Sequence, residues 1–106
     1  SREPDGLARS SRNAYLSPEE REVAPVLHEA LRRGADLIAA GEGDPERIRV
    51  AMTELIEGAE LGELDYVEVV DGRTLQPVTS ADATSRLFGA IRFGRARLID
   101  NIAASE

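Results

Sequence analysis

Apolar residues recur every three to four positions from Val23 to Ile38 and again from Ile48 to Ile56. From residue 64 to residue 70 they roughly alternate with polar ones. This change of period, from 3.6 to 2, predicts helices first and a sheet afterwards. In the first tract Val23, Leu27, Ala30, Leu31, Gly34 and Ile38 share one helical face. Its start is marked by Ser17-Pro18-Glu19-Glu20, in which Ser17 suits the N-cap, Pro18 the first helical position and Glu20 the capping box. Gly41 is the expected stop. Pro25 conflicts with the tract: it removes the bond to the Arg21 carbonyl and should bend the helix near its first turns. The second tract opens at Asp44-Pro45, carries Ile48, Ala51, Met52, Leu55 and Ile56 as its stripe and runs to Gly58. A short Gly-rich turn between the tracts predicts an antiparallel helical hairpin.

Residues 64–70, Leu-Asp-Tyr-Val-Glu-Val-Val, are rich in β-branched side chains and roughly alternate, as a strand does. Residues 73–84 read as a loop with one apolar anchor, Leu75. Residues 86–93 and 95–102 read as two strands turning at Gly94. The order helix, helix, strand, long connection, hairpin implies an α+β fold. The expected architecture is a helical hairpin packed on one face of a small, mainly antiparallel three-stranded sheet. Residues 1–16 follow neither period and contain Pro4 and Gly6, so they read as a loop or linker preceding a single domain at 17–106.

Composition narrows the function classes. A formal charge of −7 argues against non-specific binding to nucleic acid or to an anionic membrane, both of which need a basic face. All thirteen basic residues are Arg, so arginine is informative only where it clusters. There is no Cys, which excludes disulfides and thiolate metal sites and fits a reducing, cytoplasmic setting. No signal peptide or long apolar run is present, and the chain reads as soluble.

The richest chemistry lies in Gly6-Leu7-Ala8-Arg9-Ser10-Ser11-Arg12-Asn13. Glycine allows close backbone approach, hydroxyls and N–H groups donate, and guanidinium forks onto phosphate oxygens. Two readings stand on spacing alone. The loop binds a polyphosphate, or Ser10 and Ser11 make local turns while Arg12 pairs with Glu19 or Glu20. A Walker-type phosphate loop is absent.

Arg2-Glu3-Pro4-Asp5-Gly6-Leu7-Ala8, Ser10-Ser11-Arg12-Asn13 and Tyr15-Leu16 together resemble the signature that opens the C-terminal domain of pantothenate synthetases (pantoate–β-alanine ligases). The likeness continues at Asp65-Tyr66-Val67, at Asp71 with Leu75 and at Ala90, and closes at Arg97-Leu98-Ile99-Asp100-Asn101-Ile102. That family belongs to the nucleotidyltransferase superfamily with a HIGH motif and a KMSKS-like loop. The resemblance implies joining of pantoate to β-alanine through pantoyl adenylate, with ATP and Mg2+. It further implies that Ser10, Ser11 and Arg12 bind the ATP phosphates, Arg12 also stabilising charge on the leaving pyrophosphate. Arg9 stands where the family usually has Met or another apolar residue. Either it faces solvent, or its guanidinium stacks on adenine or reaches the phosphates. Ser1 departs from the Val usual in the family, and no role is carried to it.

The resemblance covers only the C-terminal part of the family's usual chain, and the sequence opens in mid-loop without Met. The Rossmann-like domain with the HIGH motif is expected outside it, so these residues alone should not catalyse ligation. They should act as a lid over ATP. The full enzyme is expected to be a homodimer, and no metal ligand or catalytic residue is assigned within this stretch. The competing reading is a stand-alone interaction module that keeps the fold without the chemistry. His28, the sole histidine, reads as an ordinary helix residue. Asp100-Asn101 should tie the last strand rather than form an acid pair, because neighbours on a strand face opposite ways. Arg92, Arg95 and Arg97 read as a solvated edge around the turn, and Glu19, Glu20 and Glu22 as complements to the helix dipole.

Overall fold

The computed structural model describes residues 2–106, the side chains of Ser11 and Arg12 apart. Three helices, α1 (Pro18–Val23), α2 (Val26–Ala39) and α3 (Pro45–Glu57), precede three strands, β1 (Glu63–Asp71), β2 (Ser85–Phe93) and β3 (Ala96–Ala103). The capping box at α1 forms as expected. Ser17 Oγ accepts from the Glu20 N–H at 3.1 Å, and Glu20 Oε1 accepts from the Ser17 N–H at 2.8 Å. At Pro25, where a bend was expected, the hydrogen-bond ladder is interrupted, while Ala24 and Pro25 both keep right-handed helical dihedrals. With no N–H at Pro25, the ladder stops at Val23, turns through buried Ala24 and Pro25, and restarts at Val26.

Helix α2 ends in a Schellman arrangement, with Gly41 at φ +103, its N–H on Ile38 O and the Glu42 N–H on Leu37 O. Asp44 then caps α3 by accepting from the Glu46 N–H at 3.0 Å. The tight α2–α3 approach needs Gly34, where a Cβ would lie 2.9 Å from Met52 Sδ and 3.2 Å from Ile48 Cγ2. These two helices form the predicted hairpin.

The sheet is antiparallel with order β1-β2-β3, pairing Val67 with Gly89 and Gly89 with Asp100 across its centre. A register shift between Leu64 and Tyr66 lifts Asp65 out of the alternation. Val67, Val69, Leu87, Ile91, Leu98 and Ile102 point from the sheet into the core, against Leu27 and Leu31 of α2 and Ile48 and Met52 of α3. Gly89 lets α2 sit close, since a Cβ there would meet Leu27 Cδ1 at 2.8 Å. β2 and β3 turn at Gly94, which has φ +53.

The connection after β1 is held differently from expectation. Leu75 is no anchor: it is 54% exposed, with φ +62. Asp71 fixes the loop through its Oδ1, which accepts from the Arg73 and Thr74 N–H groups, both at 2.8 Å. Ala81 is buried, its N–H bonded to Gly43 O at 2.8 Å. The opening segment is also more ordered than a loop. Arg2 bridges Ala8 in antiparallel fashion, and residues Ser11–Tyr15 form a 3-10 helix. Among the described residues no helix is long and apolar enough to cross a membrane.

Candidate functional site

The site grows from the hairpin at the start of the chain. Pro4-Asp5-Gly6 makes a three-residue loop: the Gly6 N–H donates to Glu3 O at 2.9 Å and the Glu3 N–H to Leu7 O at 2.7 Å. Gly6 takes φ +97, which a side chain would resist, and its open face lies against the imidazole of His28. Leu7 plunges into the core at 4% exposure. Asp5 pairs with Arg21 of α1 through two bonds of 2.6 and 3.3 Å, and that pairing holds the Asp5 carboxyl below the usual carboxylate range.

Arg2 supplies the deepest tie. Its guanidinium forks onto Asp100 of β3 at 2.5 and 3.0 Å, and its Nη1 also donates to Gly6 O at 3.0 Å. The bond to Asp100 raises the Arg2 pKa further. Asp100 is 8% exposed, and its Oδ1 accepts a third bond from the Asn101 N–H at 2.8 Å. Asn101 points the other way, accepting from Arg86 Nε at 2.9 Å, so the pair ties β3 on two faces as expected. His28 Nδ1 lies 4.0 Å from Asp100 Oδ2, too far for a hydrogen bond, and is buried without a partner among the described residues. Burial first, and the Arg2 charge next, push the His28 pKa down, against the opposing pull of Asp100. The protonated form of the ring is thereby disfavoured.

The residues expected to contact ATP lie just beyond this root. Arg9 is exposed, its Nε shared between Arg2 O at 3.2 Å and Glu3 Oε2 at 3.3 Å. Ser10 is exposed and its carbonyl accepts from the Asn13 N–H at 3.2 Å, at the entry to the 3-10 helix. Ser11 and Arg12 open that helix; their side chains, and any Arg12 pairing with Glu19 or Glu20, lie outside the described residues. Asn13 Nδ2 closes the turn onto Ala8 O at 3.2 Å. Residues 7–10 on one side and 97–100 on the other wall a cleft of about 140 Å³, floored by Leu27 and His28. That volume is below the roughly 300–1,000 Å³ of small-molecule sites, so this cleft takes no whole nucleotide. Among the described residues no three His, Asp or Glu side chains converge to hold a metal.

Residues 1–103 match the model of the pantoate–β-alanine ligase family. The chain belongs to that family. The pantothenate synthetase of Heliobacterium modesticaldum is 50% identical over 101 residues, covering 95% of this chain and 36% of that protein. That of Bacillus subtilis is 48% identical over 101 residues, 95% of this chain and 35% of that one. The crystal structure of pantothenate synthetase from Thermus thermophilus superposes with a TM-score of 0.90 at 41% identity, over 98% of this chain and 37% of that one. The Francisella tularensis pantoate–β-alanine ligase shares the fold at a TM-score of 0.57 and 23% identity. This member of the family thus spans about 36% of the length of a curated relative it matches.

Sequence reasoning found the Ser-Ser-Arg string and gave Asp100 a tie on the last strand, but it did not find Arg2 as the partner. A signal for Asp100 existed: it occupies the same alternation phase as Leu98 and Ile102, and a carboxylate on an apolar face needs a partner.

Proposed function

We propose that this chain is the C-terminal, ATP-closing domain of a pantothenate synthetase. Residues 1–16 carry the ATP-contacting loop and the link to a Rossmann-like N-terminal domain, and residues 17–106 form the lid. The full enzyme would condense pantoate with β-alanine in the cytoplasm, as a homodimer. The observation that carries this reading is the Ser10-Ser11-Arg12 string, rooted on a braced hairpin beside a cleft too small for a nucleotide. Half a site calls for a second surface. Family membership supports the same assignment, and the lack of Cys suits a reducing compartment.

In the first step a pantoate carboxylate oxygen attacks the α-phosphorus of ATP. The bond from that phosphorus to the α,β-bridging oxygen breaks, and its electron pair leaves with pyrophosphate. Ser10 and Ser11 donate to the phosphates, and Arg12 offsets the charge that builds on the leaving group. Arg9 is assigned to the same nucleotide, through its exposed guanidinium. Mg2+ would arrive on the polyphosphate and neutralise part of its charge. In the second step the amine of β-alanine attacks the acyl carbon, the bond to the AMP oxygen breaks and the nitrogen loses a proton. Closure of the lid excludes water, which would otherwise hydrolyse the acyl adenylate.

The test is pantoate-dependent exchange of pyrophosphate into ATP by the full-length enzyme. Ser11→Ala and Arg12→Ala should each slow exchange, by about 10²-fold for a lost charge-stabilising donor. Unchanged exchange in both variants would overturn the assignment. Arg9→Met should shift the KM for ATP several-fold; an unaltered KM removes Arg9 from the site.

A further inference from the structure

We propose that Arg2 and Asp100 are positioning residues for the adenylation step, setting where residues 10–12 stand relative to the sheet. This rests on the reading of those three residues as phosphate contacts.

Asp100 lies on the inner face of β3 and is nearly buried, in a phase of the strand otherwise filled by Leu98 and Ile102. Stability alone is a weak reason for an ion pair there, because well-packed apolar residues often serve as well or better. What an apolar pair cannot supply is direction. Two near-parallel N–H···O bonds fix both the distance and the plane of the guanidinium. The same guanidinium grips Gly6 O, so it holds the hairpin loop and the strand together.

The orientation is passed on through short links. Arg2 is bridged to Ala8 across the hairpin, and its carbonyl accepts from Arg9 Nε. Ala8 O in turn accepts from Asn13 Nδ2, so both ends of residues 9–12 are fastened to one point. Little slack remains beneath, since a Cβ on Gly6 would already meet His28 Cδ2 at 2.8 Å. Loosening the Arg2–Asp100 fork therefore displaces the string as a unit, and a displacement of about 1 Å can cost on the order of 10²-fold in rate.

The effect should be confined to one half-reaction. Pyrophosphate leaves in adenylate formation and takes no part in attack by the β-alanine amine. The experiment uses the full-length enzyme with Asp100→Asn, Arg2→Lys and the double variant Arg2→Met/Asp100→Leu, which replaces the ion pair by apolar side chains and leaves no buried charge unpaired. Pantoate-dependent ATP–pyrophosphate exchange is measured beside transfer of supplied pantoyl adenylate to β-alanine. All three variants should lose about tenfold or more in exchange while transfer is unchanged. Lysine, which keeps the charge but not the fork, should fail to rescue. Parallel loss of both half-reactions, or intact exchange, would overturn the proposal. Slow exchange in Arg12→Ala with normal exchange in Asp100→Asn sinks the positioning role alone. Normal exchange in Ser11→Ala and Arg12→Ala sinks the phosphate-contact reading beneath it.

Discussion

Gly6 and His28 constrain one another. The glycine is needed twice over, for a φ of +97 and for the 2.8 Å approach that a methyl group would make to the imidazole. Gly6→Ala should destabilise the fold by about 1–3 kcal/mol, read from the urea midpoint, because neither strain can be relieved alone. His28 makes a second prediction. Its folded-state pKa is lowered, chiefly by burial, so the unfolded chain takes up the proton first as pH falls. Stability should be complete above about pH 6.5, the ordinary histidine value, and decline as pH drops toward the folded-state pKa. His28→Gln should flatten that slope in urea titrations run across this range. Equal slopes in the two proteins would show that the imidazole is not the titrating group. Asp100 teaches a related lesson at this scale: its position in the alternation was legible, but its partner, 98 residues away in sequence, was not.

Elements followed local rules wherever those rules did not compete. The caps at Ser17 and Asp44 and the stop at Gly41 formed where side-chain chemistry placed them. Where two signals met, the covalent one prevailed. The apolar stripe continues through Pro25, yet the missing N–H ends α1 and forces a new start at Val26. Leu75 misled for the opposite reason, since an apolar side chain in a polar loop need not be buried. Gly34 carries a prediction for the helical pair. Gly34→Leu should cost about 1–3 kcal/mol through overpacking against Ile48 and Met52, despite the better helix propensity of leucine. Thermal unfolding compared with a surface control would check it, and an unchanged or higher Tm would mean that the two helices can part.

At the scale of the whole molecule, the cleft beside residues 7–10 sets the expectation for function. With about 140 Å³ available, the isolated domain should bind ATP weakly or not at all by calorimetry. Submicromolar affinity would mean that these residues form a complete site, and the lid reading would fall. The α+β class, the helical hairpin, the β2–β3 turn at Gly94 and the family were readable from periodicity, caps and the opening signature, because each depends on neighbours within a few turns or residues; the pairing of β1 with β2 was not. The residues proposed to meet phosphate were readable for the same reason, as a contiguous string. Tertiary structure alone decided how that string is held: Arg2 on Asp100, Asp5 on Arg21, Gly6 on His28. Those contacts join the first residues to α1, α2 and β3, so no local period encodes them. They arise only when the packed core brings the edge strand, the two helices and the opening hairpin to one place.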